Sequence, residues 1–185
     1  PGRGATTRAF VLAFTSAHAL QGCGFRGALA QELTKASTSS QDRDATLRSI
    51  PFDQMTPETR DKLWSVVNRP DIYRRLPVVS IECDPDLYLH MIRHPEVVVS
   101  IWHLMGITQV ETERVAPYVV NAADGAGTRS RIELVYGTPK LHVFYGVGDY
   151  EGPLLKNRIT GKCVMALQSD CLLYTSPSPR DGTKS

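Results

Sequence analysis

Apolar positions along this chain change their spacing at Gly106. Before it they recur every three or four residues. Leu63, Trp64, Val66 and Val67 mark one side of a helix that Thr56-Pro57-Glu58 opens: a hydroxyl N-cap, a proline at the first helical position and an acid facing the macrodipole. Asn68-Arg69-Pro70 stops it. Residues 76–83, LPVVSIEC, are rich in β-branched side chains and predict a buried strand. Asp84-Pro85 opens a second helix carrying Leu87, Tyr88, Met91 and Ile92. Pro95 sits in the first turn of a third, EVVVSIWHLMG, which Gly106 ends. That third helix is apolar on most sides and is expected to be buried.

From Ile107 onward the period is two. Strands are predicted at 107–115, 117–123, 128–136, 140–147 and 162–169. Asp124-Gly125-Ala126-Gly127 and Gly137-Thr138-Pro139 mark two hairpin connections. Ile132, Leu134 and Tyr136 are expected on one face, with Leu141, Val143 and Tyr145 repeating the pattern on the next strand. Arg131, Glu133 and His142 then face the other way. The stretch GVGDYEGPLLKNRITG is long enough to move or to cover one end of a cavity.

The opening segment, TTRAFVLAFTSAHALQGCG, has Arg3 and Arg8 at or just before it, an apolar run from Ala9 to Leu20, and the small residues of Ala17-His18-Ala19. That order is the plan of an export signal. Leu20-Gln21-Gly22-Cys23 resembles a bacterial lipobox, in which Cys23 is lipidated, although Gln21 stands where a small residue is usual. The polar, Ser/Thr-rich run from Thr34 to Ser49 reads as a linker, so the apolar run is expected to be an address rather than core. An acyl anchor would hold the protein at a membrane without spanning it.

Composition narrows this little. With 42% hydrophobic and 22% charged residues the 185-residue chain is of ordinary globular type, and 21 basic against 19 acidic side chains leave +2. No dense basic stripe supports nucleic-acid binding. The chain opens on Pro1, so its true start is expected to lie elsewhere. Residues 171–185, CLLYTSPSPRDGTKS, resemble translated adapter or vector read-through and are expected to be a non-functional, disordered tail. The expected organisation is a leader at 1–23, a linker at 24–50, an α+β domain at 51–170 and the tail.

The order helix, strand, two helices and antiparallel meander over about residues 76–170 resembles the helix-grip architecture of START-like and polyketide-cyclase-like proteins. The likeness is topological and no motif carries it. It implies a curved sheet around a long C-terminal helix with a cavity between them. This chain lacks that helix and is expected to be truncated. A cone of the nuclear-transport-factor type is the alternative, also with a pocket between helices and a bent sheet.

Candidate chemistry is sparse. Asp86, His90 and His94 recur at a spacing of four and could share a metal on one helix face, but a helix needs a polar face and Arg93 adjoins this one. The favoured reading is a solvated face, with no cofactor implied. Cys83 and Cys163, both on predicted strands, either pair in an exported protein or remain buried thiols. Neither has a CxxC spacing or a basic activator. Phosphate-loop and nucleophile-elbow motifs are missing. The first functional reading is a non-catalytic exported domain binding a small apolar molecule or lipid, with Arg131, His142 and Tyr145 as contacts. The second is an envelope-associated structural or protein-interaction domain without a pocket. The third is a hydrolase- or cyclase-type enzyme using His142 or His90 as acid/base.

Overall fold

The computed structural model describes residues 6–15 by their main chain, and residues 36–79, 83–152 and 157–170. Along the chain run β1 (Thr6–Thr15), α1 (Ser40–Ser49), a 3-10 turn (Phe52–Gln54), α2 (Pro57–Val67), β2 (Ile72–Arg75), α3 (Pro85–Arg93), α4 (Pro95–Leu104), β3 (Glu111–Ala116), β4 (Val119–Ala123), β5 (Thr128–Gly137), β6 (Leu141–Tyr150) and β7 (Ile159–Gln168). The strands form one open sheet in the order β2-β1-β7-β6-β5-β4-β3. The class is α+β: helices on a sheet whose β3 to β7 form an antiparallel set. Among the described residues no helix is long and apolar enough to cross a membrane.

Residues 6–15, expected to belong to a leader, lie inside this sheet. β1 runs parallel to β7 over ten paired positions, from Thr6↔Ile159 to Thr15↔Gln168, and parallel to β2 from Phe10↔Ile72 to Ala13↔Arg75. Parallel neighbours need a crossover connection. The chain between β1 and β2 supplies α1 and α2, and α2 lies against both β1 and β7. Cleavage at Ala17-His18-Ala19 or before Cys23 would take β1 out of the sheet. Those two motifs and the tail at 171–185 lie outside the described residues, as do residues 24–35 of the expected linker.

The rest of that linker is also structured. Ser39 caps α1, its hydroxyl accepting from the Asp42 N–H at 3.1 Å, with Asp42 in the first turn and Arg48 in the last. This polar helix is tied down by its neighbours. Arg75 of β2 pairs with Asp42 at 3.0 Å, Tyr73 and Thr46 share a hydroxyl hydrogen bond at 3.1 Å, and Ile50 enters the core. The predicted strand at 76–83 is displaced: the strand is β2, just upstream, and residues 80–82 lie outside the described ones.

α2 forms as predicted, with the Thr56 hydroxyl accepting from the Thr59 N–H at 3.3 Å. Leu63, Val66 and Val67, spaced three and four apart, are buried against Val143, Val164 and Ala166 of β6 and β7. Ile50, Met55 and Tyr73 complete this core, and Leu141 and Tyr145 pack on it. The facing predicted for β5 needs one correction. Ile132 and Leu134 face away from α2, whereas Tyr136 packs on the core, because a bulge at Val135 shifts the register from Leu134↔Phe144 to Tyr136↔Val143.

The predicted β4–β5 turn is present. The Asp124 carboxylate accepts from the Ala126 and Thr128 N–H groups at 2.8 and 2.9 Å. Gly127 has φ +114, and a Cβ there would stand 2.5 Å from the Glu151 carbonyl, so only glycine fits. β6 and β7 reach further into the predicted loop than expected, leaving residues 151–158 between them.

Candidate functional site

The α3–α4 pair rests on the sheet face opposite α2, and one arginine holds its hinge. Asp84 caps α3, accepting from the Asp86 and Leu87 N–H groups at 2.9 Å each. His94 and Pro95 divide α3 from α4. Beneath this joint Arg114 of β3 donates to both Glu96 carboxylate oxygens, at 2.7 and 2.8 Å, and to the Arg93 carbonyl at 2.8 Å. It also donates to the Pro117 carbonyl. Burial pushes the Glu96 carboxyl up, but Arg114, its own backbone N–H and His94 outweigh that and hold it at about 2. His94 Nδ1 lies 3.1 Å from Glu96, and its ring stacks on His90 with centroids 4.3 Å apart.

Beyond the hinge α4 is half-buried from Pro95 to Val99 and exposed from Ser100 on, contrary to the expectation that it would be buried. It lies along β3 at the edge of the sheet, and none of its residues is buried. An apolar sequence does not supply a layer to hide under. At its end Ile101, Trp102, Leu104, Met105 and Ile107 are all exposed, Leu104 by 86%, Met105 by 65% and Ile107 by 62%. The tip has a defined shape. Gly106 takes φ +70, its N–H donates to the His103 carbonyl at 3.0 Å, and the Ile107 N–H reaches the Trp102 carbonyl at 2.9 Å. That is the double closure of a Schellman motif. Monomeric proteins seldom display so many large apolar side chains within seven residues.

His142 lies on the same sheet face and has no exposed surface. Arg93 Nε–H donates to its Nε2 at 3.4 Å, which leaves the ring proton on a buried Nδ1 with no partner. Burial first, and the Arg93 charge second, push its pKa down. With no exposed surface, this ring is out of reach of a substrate in this structure.

The three expected ligand contacts do not converge. Arg131 and Tyr145 occupy the α2-side face, and His142 occupies the opposite one. Tyr145 stands beside Glu133, which takes Lys62 of α2 at 3.4 Å. Burial pushes the Tyr145 hydroxyl up. Asp86, His90 and His94 do not assemble a ligand set: no group of three metal-binding side chains occurs among the described residues. Cys83 and Cys163 are not joined by a disulfide. Cys83 is exposed ahead of α3, and Cys163 sits in β7 with its thiol pushed up by burial, which makes it a poor nucleophile. Cys23 lies outside the described residues.

Among the described residues no chamber opens between α3–α4 and the sheet. Arg93, Pro95, Arg114, Val120, Ile132 and Phe144 enclose ≈ 10 Å³ there, too little for more than a water molecule. Among the described residues, two larger hollows lie on open sheet faces. One, of ≈ 340 Å³, is floored by Gly146, Gly148 and Gly161 and rimmed by Ser130, Ile132 and Cys163. The other, of ≈ 680 Å³, is on the α2-side face, over β3 to β6. Sequence reasoning missed Arg114 and Glu96, since nothing local marks two residues 18 apart as partners.

No protein-family model, curated protein or solved structure matches this chain.

Buried His142 and half-buried Glu96 set an acid limit on stability. The unfolded imidazole titrates near ~6.5 and the folded one lower, so the unfolded state binds more protons and stability falls as pH drops below about 6.5. Glu96 adds about 1–3 kcal/mol that is fully present above about pH 4.5 and disappears as pH falls toward 2. Urea midpoints followed against pH should show both legs. His142→Leu should flatten the first and Glu96→Gln the second.

Proposed function

We propose that this chain is a protein-interaction domain whose contact surface is the exposed tip of α4. The observation that carries this reading is the closed Schellman turn displaying Trp102, Leu104, Met105 and Ile107. Aromatic and long aliphatic side chains of this kind form the desolvated centres of protein interfaces. Leu104 and Met105 are the most exposed of these, so the fold does not depend on them. Leu104→Glu with Met105→Glu should leave the unfolding midpoint within about 0.5 kcal/mol of the parent and abolish partner binding. A photo-crosslinking residue at position 104, in the native host, should yield one adduct of defined mass that the double variant lacks. Adducts as diffuse as those from an exposed polar site such as Asp86 would sink the reading.

A second reading follows the helix-grip likeness and its apolar ligand, relocated to the glycine-floored hollow. In its favour, Gly148 pairs with Gly161 and Gly146 with Cys163, leaving an apolar floor open to solvent. Native mass spectrometry separates the two: a retained small molecule that Gly148→Val releases supports this second reading.

A further inference from the structure

The α2-side face beyond α2 carries a charge pattern that neither reading uses. On edge strand β3, Glu111 and Glu113 stand side by side on this face, and on β5 so do Arg129 and Arg131. Register aligns them across β4, Glu111↔Ala123↔Arg129 and Glu113↔Asn121↔Arg131. An acidic column and a basic column thus run parallel, about 10 Å apart at roughly 4.8 Å per strand, with short side chains between them. All four charged residues are exposed, and none makes an ion pair among the described residues. Like charges stand two apart on each strand, so each column repels itself; the acid nearest the basic column, Asp149 opposite Arg129 on β6, is held by Arg158 at 2.9 Å.

We propose that the complement is a second copy of this chain, packed face to face about a two-fold axis that runs along β4. A rotation about that axis exchanges the two columns. Arg129 and Arg131 of one copy then lie over Glu111 and Glu113 of the other, and the reverse contacts form by symmetry. Because β3 is the edge of the sheet, α2 of each copy passes outside the other's β3 and does not collide with its sheet. Asn121 and Ala123 keep the centre low, so the long charged side chains can bridge the gap. The dimer is held by individually weak, screened ion pairs, so it is sensitive to salt. It leaves the α4 tip, on the opposite face, free.

Sedimentation equilibrium of the full chain tests this. At about 0.05 M salt a dimer is expected, and at about 0.5 M the association constant should drop at least about tenfold. Glu111→Arg/Glu113→Arg makes both columns basic, and Arg129→Glu/Arg131→Glu makes both acidic. Each variant alone should be monomeric, and an equimolar mixture should form a heterodimer. The milder Glu111→Gln/Glu113→Gln variant should weaken the dimer if a reversal variant fails to fold. A monomeric parent at low salt, variants that dimerise like the parent, or a mixture that stays monomeric would each overturn the proposal.

Discussion

A chain shortened to residues 24–185 is expected to lose its cooperative unfolding transition. β1 is the middle of three strands, so its removal leaves the four-residue β2 without its sheet neighbour and opens the whole length of β7. It also takes away part of the surface on which α2 docks. Ten backbone pairings at a net of roughly 0.5–1.5 kcal/mol each, together with the loss of α2 packing, rival the roughly 5–15 kcal/mol that holds an ordinary domain together. The bared β7 would be an unprotected edge prone to pairing with other chains. Circular dichroism and urea titration of the shortened chain measure this. A sharp transition at the full-length midpoint would show that the body folds without β1, as a removable leader would require.

Arg114→Ala should destabilise the protein by about 2–4 kcal/mol, toward the range for removing one partner of a buried pair. The side chain is 23% exposed and its partner Glu96 19%, so neither charge is well solvated. Without Arg114, Glu96 keeps a carboxylate in a half-buried site, and the Arg93 and Pro117 carbonyls lose a donor. The loss should concentrate at the α3–α4 joint, since Arg114 is the clamp that seats α4 on β3. The urea midpoint reports the size, and hydrogen exchange reports the place. Amides of α3 and α4 should exchange faster while those of β6 and β7 stay protected. Arg114→Lys should recover only part, because an ammonium cannot span both Glu96 oxygens and a carbonyl at once. A midpoint unchanged by Arg114→Ala would remove the clamp from the account.

The elements that sequence placed correctly carry local chemistry. Thr56-Pro57 and Asp84-Pro85 write helix starts into adjacent residues, and Asp124 to Gly127 writes a turn. Alternation from Ile107 onward located five strands, although the first begins only at Glu111 and the bulge at Val135 escaped because it depends on a neighbouring strand. The apolar run at residues 9–14 is ambiguous for a physical reason. A parallel inner strand and the apolar core of a leader are both short, continuous and hydrophobic, and periodicity cannot separate them. α1 was hidden because Leu47 is its one large apolar residue, too little for a periodic stripe, and the helix depends on Tyr73 and Arg75. Exposure of α4 was hidden for the opposite reason: hydrophobicity predicts what would gain from burial, not whether the fold provides a cover. Of the candidate residues, Arg131 and Tyr145 share a face as strand parity allows. His142 is excluded from it by the same parity, which was readable from its even position beside Val143.

Most of the architecture turns on whether residues 6–15 are built into the sheet. Backbone hydrogen exchange on the full-length chain measures that segment by segment. Amides at 7–15 should be protected to the same degree as those at 160–168 across the ladder. Exchange of 7–15 at the rate of an unstructured peptide, with 160–168 still protected, would contradict a seven-stranded sheet and return that segment to the role of an export leader.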